Sequence, residues 1–179
     1  MILEGKKILL GITGGIAAYK TAELARKLRK EKAEVQAVLT AAAQQFITPE
    51  TLAVLTERPV GLDLWDNPPS PEVRHIVMAD WAELALLAPA TANLLGKVAA
   101  GIADDLLTST VLALQCPVIF APAMHSQMWS HPAVQRNLKT LESFGYKIIP
   151  PEEGELASGD VGIGRMPEPE TIVAFLQTL

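Results

Sequence analysis

The first forty residues constrain this chain more than any other stretch. Residues 6–13 (KKILLGIT) form a short apolar run that stops at Gly14-Gly15. An apolar run bounded by glycine reads as a strand buried on both faces. Residues 16–30 then place Ala17, Leu24 and Leu28 at helical spacing, with Ala18, Ala22 and Ala25 as good helix formers. Residues 34–40 (EVQAVLT) read as a second strand. Strand, glycine turn, helix and strand make a βαβ unit, and that unit commits the chain to a parallel sheet.

The alternation continues to the end. Thr48-Pro49-Glu50 places an N-cap before a proline at the first helical position, predicting a helix to about Glu57. Residues 84–88 (LALLA) predict a third buried strand, ended by Pro89. Asp104-Asp105 opens an apolar helix to Leu114, and residues 117–121 (PVIFA) predict another strand, ended by Pro122. A helix from His131-Pro132 through Phe144, capped by Gly145, leads to a last strand over 146–149; residues 168–179 make a terminal helix. Two stretches break the rhythm. Residues 66–71 (DNPPSP) read as a Pro-rich loop leading to His75. Residues 150–169 carry Gly154, Gly159, Gly162, Gly164 and Pro167 without a core pattern, so they read as a structureless flap over about 151–167. The expected fold is α/β: one domain over 1–179, a three-layer sandwich around an open, mostly parallel Rossmann/flavodoxin-like sheet.

Composition narrows the function classes. With 179 residues, 49% hydrophobic and 20% charged, the chain is that of one folded domain. Its net charge of −5 argues against nucleic acid as the main partner. The densest basic stretch, residues 26–32, falls at a helix C-terminus, where cations are favourable without a partner. A single cysteine, Cys116, excludes an intrachain disulfide and a thiolate cluster, and the three histidines lack zincin spacing, so no metal is expected. Residues 106–135 contain no Asp, Glu, Lys or Arg, but Gln115, Pro117 and Pro122 interrupt them, so they read as buried helix, strand and loop rather than a membrane span. No export signal is visible, and a cytoplasmic location is expected.

In open parallel sheets ligands bind beyond the C-terminal strand ends. Here those ends are residues 13–16 (TGGI), 40–42 (TAA), 89–93 (PATAN) and 122–125 (PAMH). Gly14-Gly15 before a helix lets backbone amides approach a phosphate. The run is neither a G-x-G-x-x-G fingerprint nor a P-loop, and a tight turn without a ligand explains it nearly as well. The other tips carry small residues and hydroxyls, which suit a flat, uncharged ring held by backbone groups, such as a flavin. No acidic residue ends the second strand to hold a ribose hydroxyl, which counts against NAD.

Taken together, residues 14–20 (GGIAAYK), 88–93 (APATAN), 122–124 (PAM) and 159–166 (GDVGIGRM) carry a resemblance. The chain resembles the phosphopantothenoylcysteine decarboxylases of coenzyme A biosynthesis, especially the N-terminal half of the bacterial bifunctional decarboxylase/ligase. These belong to the homo-oligomeric flavin-containing cysteine decarboxylases. The resemblance implies FMN at a trimer interface, contacted by Gly14, Gly15, Ile16, Thr40, Phe46, Pro89, Ala90, Thr91, Ala92, Asn93, Ser109 and Ala123. Phe46 and Ala123 read equally well as core. It implies 4'-phosphopantothenoylcysteine as substrate, with the thiol oxidised to a thioaldehyde, carbon dioxide lost, and the resulting enethiol reduced to 4'-phosphopantetheine. The flavin carries the redox chemistry while the protein positions and protonates. Implied partners are further copies of the chain, as trimer or dodecamer, and a fused or separate phosphopantothenate–cysteine ligase; neither nucleic acid nor a membrane is implied.

His75, followed by Asp80-Trp81-Ala82, matches the family's active-site histidine, a base at the thiol end. It also reads as a histidine hydrogen-bonded at a helix start. Met124, Arg165 and Met166 match substrate-binding positions. Two positions depart from the family. His125 replaces an asparagine that contacts the substrate carboxylate; protonated, it would bind that group more strongly but oppose its loss. Ser158 replaces the flap cysteine that protonates the enethiol, and a hydroxyl is a far weaker acid than a thiol. The expectation is that the two changes compensate, with His125 or a water supplying the proton. The alternatives are a decarboxylase that leaks oxidised enethiol, a flavin-binding regulatory or scaffold subunit, a peptidyl-cysteine decarboxylase, and, remotely, a flavin prenyltransferase.

Overall fold

A computed structural model describes residues 3–65 and 71–179. Of the Pro-rich loop expected over 66–71, all but Pro71 lies outside the described residues.

The first βαβ unit forms as its sequence dictates. Strand β1 (Lys7–Ile12) leads into a single 3-10 turn (Ile16–Tyr19), then helix α1 (Lys20–Lys30) and strand β2 (Glu34–Leu39). The helical region expected from Ile16 thus starts tighter than an α-helix, because Gly15 is still extended there. Helix α2 (Pro49–Thr56) has the expected cap, with the Thr48 hydroxyl accepting from the Thr51 amide at 3.2 Å. After helix α3 (Arg74–Trp81) come strand β3 (Leu84–Ala90), helix α4 (Ala92–Ala99), helix α5 (Leu106–Ala113) and strand β4 (Val118–Pro122). Asp105 and Thr108 form a reciprocal capping box at the start of α5. A single-turn helix α6 (Ser126–Trp129), helix α7 (Pro132–Ser143) and the two-residue strand β5 (Lys147–Ile148) follow.

The five strands pair in the order β2-β1-β3-β4-β5, and every pairing is parallel. This is the doubly wound arrangement read from the sequence. Successive residues of β1 face opposite layers. Ile8, Leu10 and Ile12 pack with Leu24 and Leu28 of α1, Leu52 of α2 and Ile172 and Leu176 of the terminal helix. Leu9 packs on the other side with Leu87, Phe120, Leu95 of α4, Leu107 of α5 and Leu138 of α7. Burial on both faces is why these strands are continuously apolar.

Two expectations need correcting. Pro89 does not end its strand but lies within β3, one residue before its end, whereas Pro122 does close β4, as its last residue. At the strand ends no ladder amide is needed from them: the Pro89 carbonyl accepts from a side chain, and the Ala123 amide bonds to the Ala90 carbonyl at 3.1 Å. The flap is not structureless either. Strands β6 (Glu152–Glu155) and β7 (Val161–Arg165) form an antiparallel hairpin, followed by helix α8 (Pro169–Gln177). Gly154, Gly162 and Gly164 are sites of close approach, while Gly159, at φ 88°, turns the tip. At Gly164 an added Cβ would lie 2.0 Å from the Met124 carbonyl oxygen. No helix among the described residues is long and apolar enough to cross a membrane.

Candidate functional site

The strand order reverses direction between β1 and β3, so the crevice at the switch point opens between their C-terminal ends. One side chain ties these ends together. The buried Thr13 hydroxyl donates to the Pro89 carbonyl at 2.5 Å and accepts from the Thr91 amide at 3.1 Å. Thr91 in turn caps α4 through the Leu94 amide. Beside it the Gly14 backbone comes against the loop after β2, where a Cβ would lie 2.4 Å from the Ala42 Cβ. Glycine is required there by close approach.

Around this tie lies a cleft of about 1240 Å³. It exceeds the roughly 300–1,000 Å³ of an ordinary single-ligand pocket and has room for a cofactor and a substrate together. Its floor is small: Gly14, Gly15, Ala41, Ala42, Ala92 and Ala123, with Thr40, Thr91 and Asn93 adding polar groups. Short side chains and exposed backbone, without a fixed charge at the floor, fit the planar ring of a flavin. Among the described residues no group of three or more His, Cys, Asp or Glu gathers to hold a metal ion.

The cations sit around the rim, each paired with a carboxylate. Lys20 donates to Glu168 at 2.7 Å and to the Met166 carbonyl at 3.2 Å, and Arg165 donates to the same Glu168 oxygen at 2.9 Å. Lys20, and after it Arg165, hold the Glu168 carboxyl below the usual glutamate range. This cluster clamps the base of the hairpin to the start of α1. Across the cleft Lys97 reaches Asp104 at 2.7 Å and Asp105 at 3.4 Å. The hydrogen bond to Asp104 raises the lysine and lowers that aspartate.

The hairpin docks on the loop after β4. The Met124 amide donates to the Gly164 carbonyl at 3.0 Å, and Gly162 approaches the Ser126 side chain. At its tip Asp160 Oδ2 accepts from the Ser158 hydroxyl at 3.0 Å and lies 3.1 Å from His125 Nε2. His125 Nδ1 accepts from the Gln127 amide at 3.2 Å, so in this geometry Nδ1 is unprotonated and Nε2 carries the hydrogen. His125, then Ser158, hold the Asp160 carboxyl below the usual range.

The cleft brings together Gly14, Gly15, Ile16, Thr40, Thr91, Ala92, Asn93, Ala123, Met124, His125, Ser158, Arg165 and Met166. Five anticipated residues do not line it. Pro89 contributes its carbonyl to the tie beneath; Ala90 is buried in β3; Ser109 is buried in α5; Phe46 is half exposed beyond β2. His75, on α3, lies outside the cleft of its own chain. Sequence reasoning missed Tyr19, Lys20 and Met128 as cleft residues, and the bridging role of Asp160. A lysine in the turn after Gly-Gly was the available signal for Lys20. None existed for Asp160, whose partner His125 is 35 residues away.

Comparisons with known proteins agree with this geometry. The profile of the flavoprotein family matches residues 2–179. The coenzyme A biosynthesis bifunctional protein CoaBC of Vibrio cholerae is 54% identical over 175 residues, covering 98% of this chain and 44% of that protein. The chain thus spans less than half the length of the curated relatives it matches. Among solved structures, a cysteine-to-serine mutant of PPC decarboxylase complexed with pantothenoylaminoethenethiol superposes with a TM-score of 0.86, at 35% identity over 98% of both chains. The FMN-dependent cysteine decarboxylase SpaF gives a TM-score of 0.84 at 33% identity, over 98% of this chain and 96% of that one.

Proposed function

Because the chain belongs to the flavoprotein family, in the branch of the PPC decarboxylases, we propose that it decarboxylates 4'-phosphopantothenoylcysteine to 4'-phosphopantetheine with FMN as cofactor. The observation that carries this reading is the small-walled cleft at the β1/β3 switch point, covered by a hairpin that brings Ser158 to the His125 side and lines the cleft with Arg165. Gly14, Gly15, Ile16, Thr40, Thr91, Ala92 and Asn93 would hold the FMN. When bound, FMN supplies the reversible two-electron chemistry that gives the cysteine carbons an electron sink for carbon dioxide loss.

The chain's own residues do the rest. His125 offers its Nε2–H to the substrate carboxylate without adding a full positive charge, so it orients that group while opposing its departure less than an imidazolium would. Arg165 keeps free guanidinium donors beyond its bond to Glu168 and is placed for the substrate phosphate. Lys97 is shared between two aspartates and is less available. The hairpin excludes water from the reacting carbons.

His75 enters from a second copy of the chain. In α3 the flanking Val73, Ile76 and Val77 are 54%, 42% and 47% exposed. Apolar surface of that kind around a half-buried histidine fits a subunit interface. The homo-oligomer, trimeric by resemblance, is therefore part of the site.

Ser158 favours one variant of this reading. Its hydroxyl proton is directed at Asp160, and a serine is a poor acid for an enethiol, so reduction is the slow final step. The PPC decarboxylase complexed with pantothenoylaminoethenethiol is a cysteine-to-serine mutant. The function is tested by purifying the protein with its flavin spectrum and following release of labelled carbon dioxide from carboxyl-labelled 4'-phosphopantothenoylcysteine. Release that disappears in His75→Asn supports the reading; flavin binding with no release assigns the chain to a regulatory subunit instead.

A further inference from the structure

Every cation and polar donor named on the rim of the cleft is matched by an acceptor from the same chain, and one match is of a special kind. The His125 Nε2–H points at the carboxylate of Asp160, which is carried on the hairpin tip and is 66% exposed. The same Oδ2 also takes the Ser158 hydroxyl proton at 3.0 Å. His125 itself is anchored, since its Nδ1 accepts the Gln127 amide and its backbone begins α6. The imidazole is therefore a fixed donor, and its acceptor sits on the exposed hairpin tip.

We propose that Asp160 is an internal stand-in for a ligand carboxylate: in the empty cleft it occupies the acceptor position on His125, and an incoming carboxylate takes its place. This deepens the proposed function and rests on it for the identity of the ligand, while the exchange itself rests only on the geometry above. An exposed hydrogen-bonded pair of this type holds weakly in water, so a ligand with further contacts in the cleft displaces it. When Asp160 Oδ2 leaves His125, Ser158 moves with it on the same hairpin tip and keeps its hydroxyl on that carboxylate, so the exchange opens one donor to the ligand, the Nε2–H. Asp160 is a specificity-determining and positioning residue. It lowers the affinity only of ligands that carry a carboxylate, because only they must displace it from the Nε2–H, and so narrows the preference that His125 creates.

The test compares wild type with Asp160→Asn in the FMN-loaded oligomer. Asparagine removes the competing charge and keeps the shape of the hairpin tip, which is exposed, so folding is not at stake. Calorimetry measures two probes: the serine analogue of 4'-phosphopantothenoylcysteine, which has the carboxylate but no thiol, and 4'-phosphopantetheine, which has no carboxylate. Asp160→Asn is expected to bind the carboxylate probe about two- to fivefold more tightly and the second probe unchanged. Weaker binding of both probes would make Asp160 a structural latch and overturn the exchange. A second readout uses imidazole nitrogen NMR, with His125 assigned by His125→Asn. The Nε2–H tautomer is expected, and acetate should shift the His125 signals at lower concentration in Asp160→Asn than in wild type. Equal acetate responses overturn the exchange. If neither larger probe binds wild type while the acetate difference persists, the exchange stands and the substrate assignment falls.

Discussion

Substituting Gly164 by alanine should release the hairpin while leaving the sheet folded. The new Cβ would meet the Met124 carbonyl oxygen at 2.0 Å and the Met124 carbonyl carbon at 3.2 Å, both backbone atoms at the end of β4 that have little freedom to yield. The bond from the Met124 amide to the Gly164 carbonyl, 3.0 Å, is lost as the strands separate. Overpacking costs about 1–3 kcal/mol and the hydrogen bond about 1 kcal/mol. Together they disfavour the docked hairpin by about 2–4 kcal/mol. Amide exchange across residues 152–165 should then accelerate by about 30- to 700-fold, while the amides of β1 and β3 keep their protection. The core clusters lie on the sheet and not under the hairpin tip, so the two responses separate. Unchanged exchange in the hairpin, or uniform acceleration through β1 and β3, would refute the docking described here.

Three further perturbations read other parts of the site. Thr13→Val keeps the volume but leaves the Pro89 carbonyl and the Thr91 amide without their partner; a loss of about 2–4 kcal/mol in denaturant unfolding is expected, with faster FMN release. Glu168 has a lowered folded pKa, caused first by Lys20. Its contribution is therefore complete above the ordinary glutamate pKa and disappears as pH falls through the lower folded value; Glu168→Gln should lower the hairpin's protection against proteolysis at neutral pH, flatten its acid limb, and leave protection below the folded value little changed. Mixing His75→Asn with His125→Ala oligomers after subunit exchange should restore part of the lost turnover, since His75 and His125 would serve a site from different copies; no recovery would place both in one chain.

What was legible in the sequence was whatever local physics fixes alone. The apolar runs of β1 and β2, the Thr48 cap with Pro49 behind it, and Asp105 at the head of α5 are settled within a few residues of themselves. Pro89 misled because it stands next to the end of β3, where the missing amide costs nothing and neighbours complete the bonding. The hairpin misled because Gly162 and Gly164 are set by Ser126 and Met124, close in space but distant in sequence. The floor of the cleft followed from the strand tips. His75 did not, because α3 places it outside the cleft of its own chain. Asp160 stayed hidden for a related reason: its role exists only once the hairpin folds back on His125.

The most direct test of the account is the mass of the product formed when the FMN-loaded protein is incubated anaerobically with 4'-phosphopantothenoylcysteine. The account predicts loss of carbon dioxide alone, with the thiol restored and the proton supplied by a group other than a cysteine. Loss of carbon dioxide together with two hydrogens would contradict completed reduction and locate the failure at Ser158. Unchanged substrate beside bound FMN would contradict the decarboxylase itself.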